Sequence, residues 1–534
     1  MDLKGIVKSG AGWINLILLT GLAVMLSAEI SDAATLVVTN LNNSGAGSLR
    51  DTIAAASAGD TIKFGVTGTI TLTSGQLVVT KDLAVIGPGA SILEISQSTA
   101  SSVFYVDVGT NLFISGLTIS NGNASSGGGI SNNGTLNVVD VFFSNNTASI
   151  GGALSSQNGP AVITGSTFSG NSALYGGGAI ITTTGEMTIT DCTFTDNQGE
   201  YGGGINTANA GSVTVRNSTF NNNGANFSGG AISADYTVNT VTLLNCTFSG
   251  NQSPRGGALY ISDGVTVNAS NTIFADSASG SNCNMAITGT NSHNIDFGGP
   301  APANSCGADI TDDPVLGSLT DNGGQTQTMA LGTGSSAIDA GAQSNAPSAD
   351  QRGWPRPYGT AVDVGAVESM PEATLTVNRT GNGTVKSSPA GVFCATGCSS
   401  DPSVFPLNGT VSLSAIPDPG TDIFSPGWSG TGCGRTVSMT GDRTCSAAFT
   451  HCGGNPVSTP AQSFPSIMEA YGQGATEVFV TASHRLENLA FNDHTIILNG
   501  GKACDFQSIV DYTYVDGYIL IIGGAAILDR VVVL

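Results

Sequence analysis

Residues 176–197 read GGGAIITTTGEMTITDCTFTDN and residues 202–223 read GGGINTANAGSVTVRNSTFNNN. Both stretches carry a glycine cluster, an Ile, a run of alternating apolar residues and then Phe-x-x-Asn. Outward from this pair the pattern continues. Glycine-rich sites precede Ile130, Leu154, Ile180, Ile205, Ile232 and Leu259. The aromatic ends are Phe143, Phe168, Phe194, Phe220, Phe248 and Phe274, spaced 25, 26, 26, 28 and 26 residues apart. Asn146, Asn171, Asn197, Asn223 and Asn251 follow the first five of them, and Ser277 follows the last. A fixed period of this length belongs to units that cannot bury an apolar face alone and must stack on their neighbours.

The residues between the landmarks say what stacks. Counting back from each Phe, the fifth residue is Val138, Ile163, Ile189, Val215, Leu243 or Ala269, and the seventh is Leu136, Ala161, Met187, Val213, Val241 or Val267. Alternation at period two predicts strands. The residue three before each Phe is Asp140, Gly165, Asp191, Asn217, Asn245 or Asn271, a column of turn formers that tolerate left-handed backbone. Runs such as NSTFNNNGANFSGG forbid a helical repeat. The expected fold is therefore all-β, a right-handed parallel β-helix in which each coil adds one strand to each of several long parallel sheets.

Two resemblances rest on these residues. The alternation of GGGI, GGAL and GGAI with FSNN, FSGN and FTDN resembles the polymorphic outer membrane protein repeat of bacteria, a surface-exposed right-handed β-helix module. Upstream, SLRDTIAAASAGDTIKF (48–64) is similar to the segment that opens many secreted β-helices, with Asp51 and Thr52 replacing its usual acidic residue and alanine. Downstream, AIDAGA (337–342), DQRGWPRP (350–357) and DVGAVE (363–368) resemble the choice-of-anchor region that closes such helices. The resemblances cover residues 35–370 and imply an exported protein at the bacterial outer surface.

Composition agrees with export. Residues 1–34 carry Lys4 and Lys8, an apolar run of about 16 residues and small residues near Ala34, which is the layout of a secretory signal peptide and too short for a spanning helix. No later segment reads as a transmembrane helix. Sixteen Lys and Arg against 38 Asp and Glu leave a net charge of −22, and no basic patch exists to neutralise nucleic-acid phosphates. Polyanionic glycans would likewise gain no electrostatic support.

The domain reading is a signal peptide at 1–34, an amino-terminal cap and first coils at 35–126, repeat coils at 127–300, a closing region at 301–370, a small β domain at 371–451 resembling a bacterial repeat domain, and a short β-helix-like module at 452–534. Cys192 and Cys246 share one coil position but lie two coils apart, about 10 Å at the parallel-strand spacing, which is too far for a bridge. The other eight cysteines pair by neighbourhood as Cys283 with Cys306, Cys394 with Cys398, Cys433 with Cys445, and Cys452 with Cys504.

Catalytic chemistry is sparse. The coils hold eight scattered acids and no histidine or lysine. Asp191, Asp196 and Glu200 fall in one coil, with Arg216 one coil on, and form the only candidate catalytic set; Asp191 is also read as a member of the turn column. Arg352 is expected to pair with a carboxylate of its own region, and Trp428 to be a core residue. No cofactor or metal is implied. The favoured function is a non-catalytic secreted or cell-surface β-helix, adhesin-like, whose partners are glycans, matrix or surface proteins. The alternative is a polysaccharide lyase or glycoside hydrolase acting in the groove beside the coils. Thr-x-Thr arrays of the ice-binding kind are expected to be absent, since stretches such as TLTS and TVRNST fall out of register.

Overall fold

The computed structural model describes residues 33–451, apart from 209–211, 236–239, 345, 396 and 418–421, and parts of the chain beyond 451. The signal-peptide reading, but for its last two residues, and the Cys452–Cys504 pairing lie outside the described residues.

The chain forms a parallel β-solenoid. Each central coil visits four sheets in turn, here sheets I to IV: for one coil these strands are Thr135–Val139, Phe142–Ser144, Thr147–Ile150 and Leu154–Ser156. Sheet I has 11 strands, sheet II ten, sheet III five and sheet IV eight. All pairings within these stacks are parallel and bring repeat positions opposite one another, as Met187 lies beside Val213 and Phe194 beside Phe220. The strand phase is the one the alternation predicts. Leu136, Val138, Ile163, Ile189, Val215 and Leu243 are fully buried in one continuous core.

The six phenylalanines of sheet II stack face to face inside that core, with centroids 4.6 to 5.2 Å apart and planes within 14°. Aromatic pairs left to themselves prefer offset or edge-on contacts. Here the strand spacing of about 4.8 Å dictates the geometry. At the end of the column the position below Phe274 is Asp296, buried, accepting hydrogen bonds from the Cys306 amide at 2.7 Å and from Asn282 Nδ2 at 2.7 Å. A polar side chain on the strand Ile295–Phe297 thus terminates the apolar column, between the two cysteines of the Cys283–Cys306 disulfide.

Beside the rings runs a ladder of buried asparagines. Asn197 Nδ2 donates to Asn223 Oδ1 at 2.8 Å and to the Phe168 carbonyl at 2.9 Å, while its own Oδ1 accepts from both nitrogens of Asn171 at 3.0 Å. Asn146, Asn171, Asn223 and Asn251 repeat this, so each amide satisfies backbone that the turn leaves without a sheet partner. At the last rung Ser277 does not take over: Asn282, further along the chain, holds the Ser277 amide and the Phe274 carbonyl.

Three left-handed columns turn the corners. The expected one, Asp140, Gly165, Asp191, Asn217, Asn245 and Asn271, has φ between 43° and 57°. A second contains Asn145, Asp196 and Asn222, and the third is glycine alone. At Gly202 a Cβ would stand 2.1 Å from the Ile205 carbonyl oxygen, which is why no Asn replaces glycine there.

The ends of the solenoid differ. The strand Thr35–Val38 opens it as the first of sheet I, and helix α1 (Leu49–Ala55) follows, capped by Ser48 Oγ accepting the Asp51 amide and burying Leu49 and Ile53. Residues 371–451 form two four-stranded sheets over a separate core, with Trp428 edge-on to Phe424 at 5.1 Å and the Cys394–Cys398 and Cys433–Cys445 disulfides in place. Beyond them a helix (α2, Ile467–Gly472) precedes strands that again pair in parallel, as Glu477–Thr481 does with Ile496–Lys502.

Candidate functional site

The outward face of sheet II carries a hydroxyl column that the sequence pattern had not shown. Thr118, Thr167, Thr193, Thr219 and Thr247 share one row, and Ser120, Ser144, Ser169, Thr195 and Ser249 share the row two residues on. Thr-x-Ser/Thr elements therefore do come into register, and the stretches expected to fall out of it take part: Thr71 of TLTS joins the second row through Ser96, and Thr219 of TVRNST lies in the first. Over the later coils this face is not free. The segment 321–368 folds back across it, and Thr193, Thr219 and Thr247 are buried beneath.

Gln351 is the centre of that contact. Its Nε2 donates to Thr193 Oγ1 and Thr326 Oγ1, both at 2.9 Å, and its Oε1 accepts from Thr219 Oγ1 at 2.7 Å. The Ala366 amide donates to Thr247 Oγ1 at 2.9 Å, and Asn217 Nδ2 donates to the Ala349 carbonyl at 2.8 Å. The segment is held in shape by buried ion pairs. Arg352 meets Asp350 at 2.8 Å, as its expected carboxylate pairing requires, and lies 3.4 Å over the Trp354 ring; Arg356 meets Glu368 at 3.0 Å. Burial raises the Glu368 carboxyl and lifts Asp363 to about 6.

The sequence-derived catalytic set is not brought together. Asp191 occupies the turn between sheets I and II, accepts from Asn217 Nδ2 at 3.1 Å, and has its pKa lifted to about 6 by burial. Asp196 occupies the next turn, where Asn222 of the following coil donates to it. Glu200 stands on sheet III, and Arg216 is exposed with no ion pair to any of them. Both aspartates thus serve as left-handed turn residues satisfied by the coil below, because successive turns of a β-helix fall on different sides of the coil. Among the described residues no three His, Cys, Asp or Glu side chains are grouped so as to hold a metal ion.

The uncovered part of sheet II forms a groove of about 660 Å3 across the earlier coils. Its floor is the outward row Thr69, Glu94, Thr118, Phe142 and Thr167, with Ser144 beside it and Asp140 and Gln325 at its edge. Glu94 accepts from Thr69 Oγ1 at 3.0 Å and from Ser120 Oγ, so its carboxylate is held flat against the sheet. Burial raises Asp140, and the nearby Lys386 charge of the small β domain opposes that rise. The small domain reaches this end through Phe393, whose ring rests where a side chain at Gly89 would stand. Sequence reasoning missed Glu94 and Phe142. The signal for Phe142 was present: the next four coils place Thr immediately before the column Phe, whereas FFSNN places a second Phe there.

A family model described as a right handed beta helix region matches residues 84–233 and 151–299. No curated protein matches the chain. Among solved structures, the chain is similar to the pectate lyase Pel9A, at 17% identity over 63% of this chain and 97% of that one, with a TM-score of 0.41. It is also similar to the ORF18 protein of Geobacillus virus E2, at 12% identity over 48% of this chain and 60% of that one, with a TM-score of 0.25.

Proposed function

We propose that the chain is an exported, surface-associated β-helix protein that binds glycans without turning them over. The observation that supports this reading best is the fate of the acids in the central coils. Asp191 and Asp196 are consumed by the turns, and the sheet face beside them is occupied by the protein's own return segment. General acid or base work needs a converging set whose environments differ. The resemblance of the coils to the polymorphic outer membrane protein repeat and of residues 337–368 to the choice-of-anchor region belongs to this proposal, as does a signal peptide at 1–34. Three disulfides, and no helix among the described residues long and apolar enough to cross a membrane, fit an extracellular setting.

The hydrolytic alternative moves to the groove, where Glu94 and Asp140 face one space and burial raises Asp140. One experiment separates the two. The intact chain is incubated with polygalacturonate, alginate and neutral glucans, with and without calcium. Binding with no new unsaturated or reducing ends is the expected outcome. Product release abolished by Asp140→Asn or Glu94→Gln would establish the enzyme instead.

A further inference from the structure

The groove on sheet II brings three features together on one open surface; of these the covered coils repeat only the last, at Asp191. Its outward row contains an aromatic, Phe142, half-exposed, where the later coils have Thr167, Thr193, Thr219 and Thr247. The same row contains a carboxylate, Glu94, fixed in place by two hydroxyl donors. Its edge holds a second carboxyl, Asp140, which accepts no hydrogen bond among the described residues and feels the charge of Lys386. An aromatic left partly in water on a row whose next four strands carry threonine forfeits burial that a threonine would not need. A ligand with an apolar face would recover it.

We propose that this groove is a binding subsite for a neutral pyranose chain, with the Phe142 ring as the stacking floor and Glu94, Asp140 and the surrounding hydroxyls as partners for sugar hydroxyls. The proposal rests on the glycan-binding reading above and names its ligand class. Pyranose rings offer an apolar C–H face to an aromatic and a rim of hydroxyls that both donate and accept. Carboxylates accept two such donors each, while Thr69, Ser144 and Thr167 serve the remaining positions. The groove crosses strands that repeat every ~4.8 Å, so a repeating polymer meets a repeating surface. Charge decides against a uronate polymer. Two carboxylates face the space, Lys386 stands only at its border, and the whole chain carries −22. The open, shallow form of the groove suits an extended chain that enters from the side, whereas an enclosed monosaccharide site would bury its ligand on all faces.

The test is titration calorimetry of the intact chain with cellohexaose, maltohexaose and hexagalacturonate. At least one neutral hexasaccharide is expected to bind, and hexagalacturonate to give no heat. Phe142→Thr restores the residue that neighbouring coils carry, so it should melt like the parent while weakening binding about tenfold. Phe142→Tyr keeps the ring and should bind as the parent does. Glu94→Gln should weaken the neutral ligand without admitting hexagalacturonate. The subsite is overturned if neither neutral ligand binds, if Phe142→Thr binds unchanged, or if hexagalacturonate binds more tightly. Binding that survives Phe142→Thr would leave the glycan-binding reading intact and remove only the groove. Reducing ends released from a bound neutral hexasaccharide would do the reverse, supporting the groove and ending the non-catalytic reading.

Discussion

Single residues show how the repeat reconciles polar side chains with a buried column. The five asparagines of the ladder lie fully buried, each using both ends of its amide on the coils next to it. Removing one would orphan backbone groups on two coils, at about 1–3 kcal/mol for each group. Asp191 is the contrasting case. Its site suits an uncharged residue, and Asn217, Asn245 and Asn271 fill the equivalent turns with similar positive φ. Because burial lifts Asp191 to about 6, the folded chain keeps its proton to higher pH than the unfolded chain does. The stabilisation from that proton is complete below ~4 and is lost as pH climbs through the folded value. Asp191→Asn should therefore stabilise the protein at pH 7.5 by on the order of 1–2 kcal/mol and leave it unchanged near pH 4. Melting curves at the two values check this; destabilisation at pH 7.5 would mean that the carboxylate is needed charged.

At the scale of elements, the return segment is the part whose attachment can be measured separately. It touches the coils through side-chain hydrogen bonds, most of them to threonines and asparagines, with Gln351 making three to Cys192, Thr193 and Thr219. Gln351→Ala leaves Thr193, Thr219 and Thr326 facing an empty space and should release the segment locally. Hydrogen exchange at the Gln351, Val364 and Ala366 amides is expected to rise by one to two orders of magnitude, while coil amides such as that of Ile205 hold. Uniform acceleration would show that segment and coils unfold as one unit. The groove of sheet II begins where this cover stops, at Gln325.

Across the whole molecule, crosslinks and cores divide the labour. The coil stack keeps Cys192 and Cys246 as buried thiols, with burial pushing Cys246 up to about 12, while the three described bridges lie at the end of the solenoid and in the small domain. Alkylation of the native protein should label neither thiol. After denaturation without reductant it should label these two alone, as read by mass spectrometry of peptides. Label on Cys283, Cys394 or Cys433 would contradict the bridges, and label on Cys452 and Cys504 would reject their proposed pairing. Much of this was legible in one dimension. The strand phase, the aromatic column, the Asp/Asn/Gly turns and the two free thiols all follow from a period near 26, since a β-helix converts equal spacing into vertical contact and each coil needs only its neighbours. What the period does not encode is which outward face stays open. That depended on Gln351 reaching Cys192 and Thr193 from more than 150 positions away, on Asn282 closing the ladder beyond Ser277, and on Phe393 of the next domain settling against Gly89. These contacts are made once and not repeated, so no spacing announces them; only the tertiary structure separates the acids spent on turns from those left facing the groove.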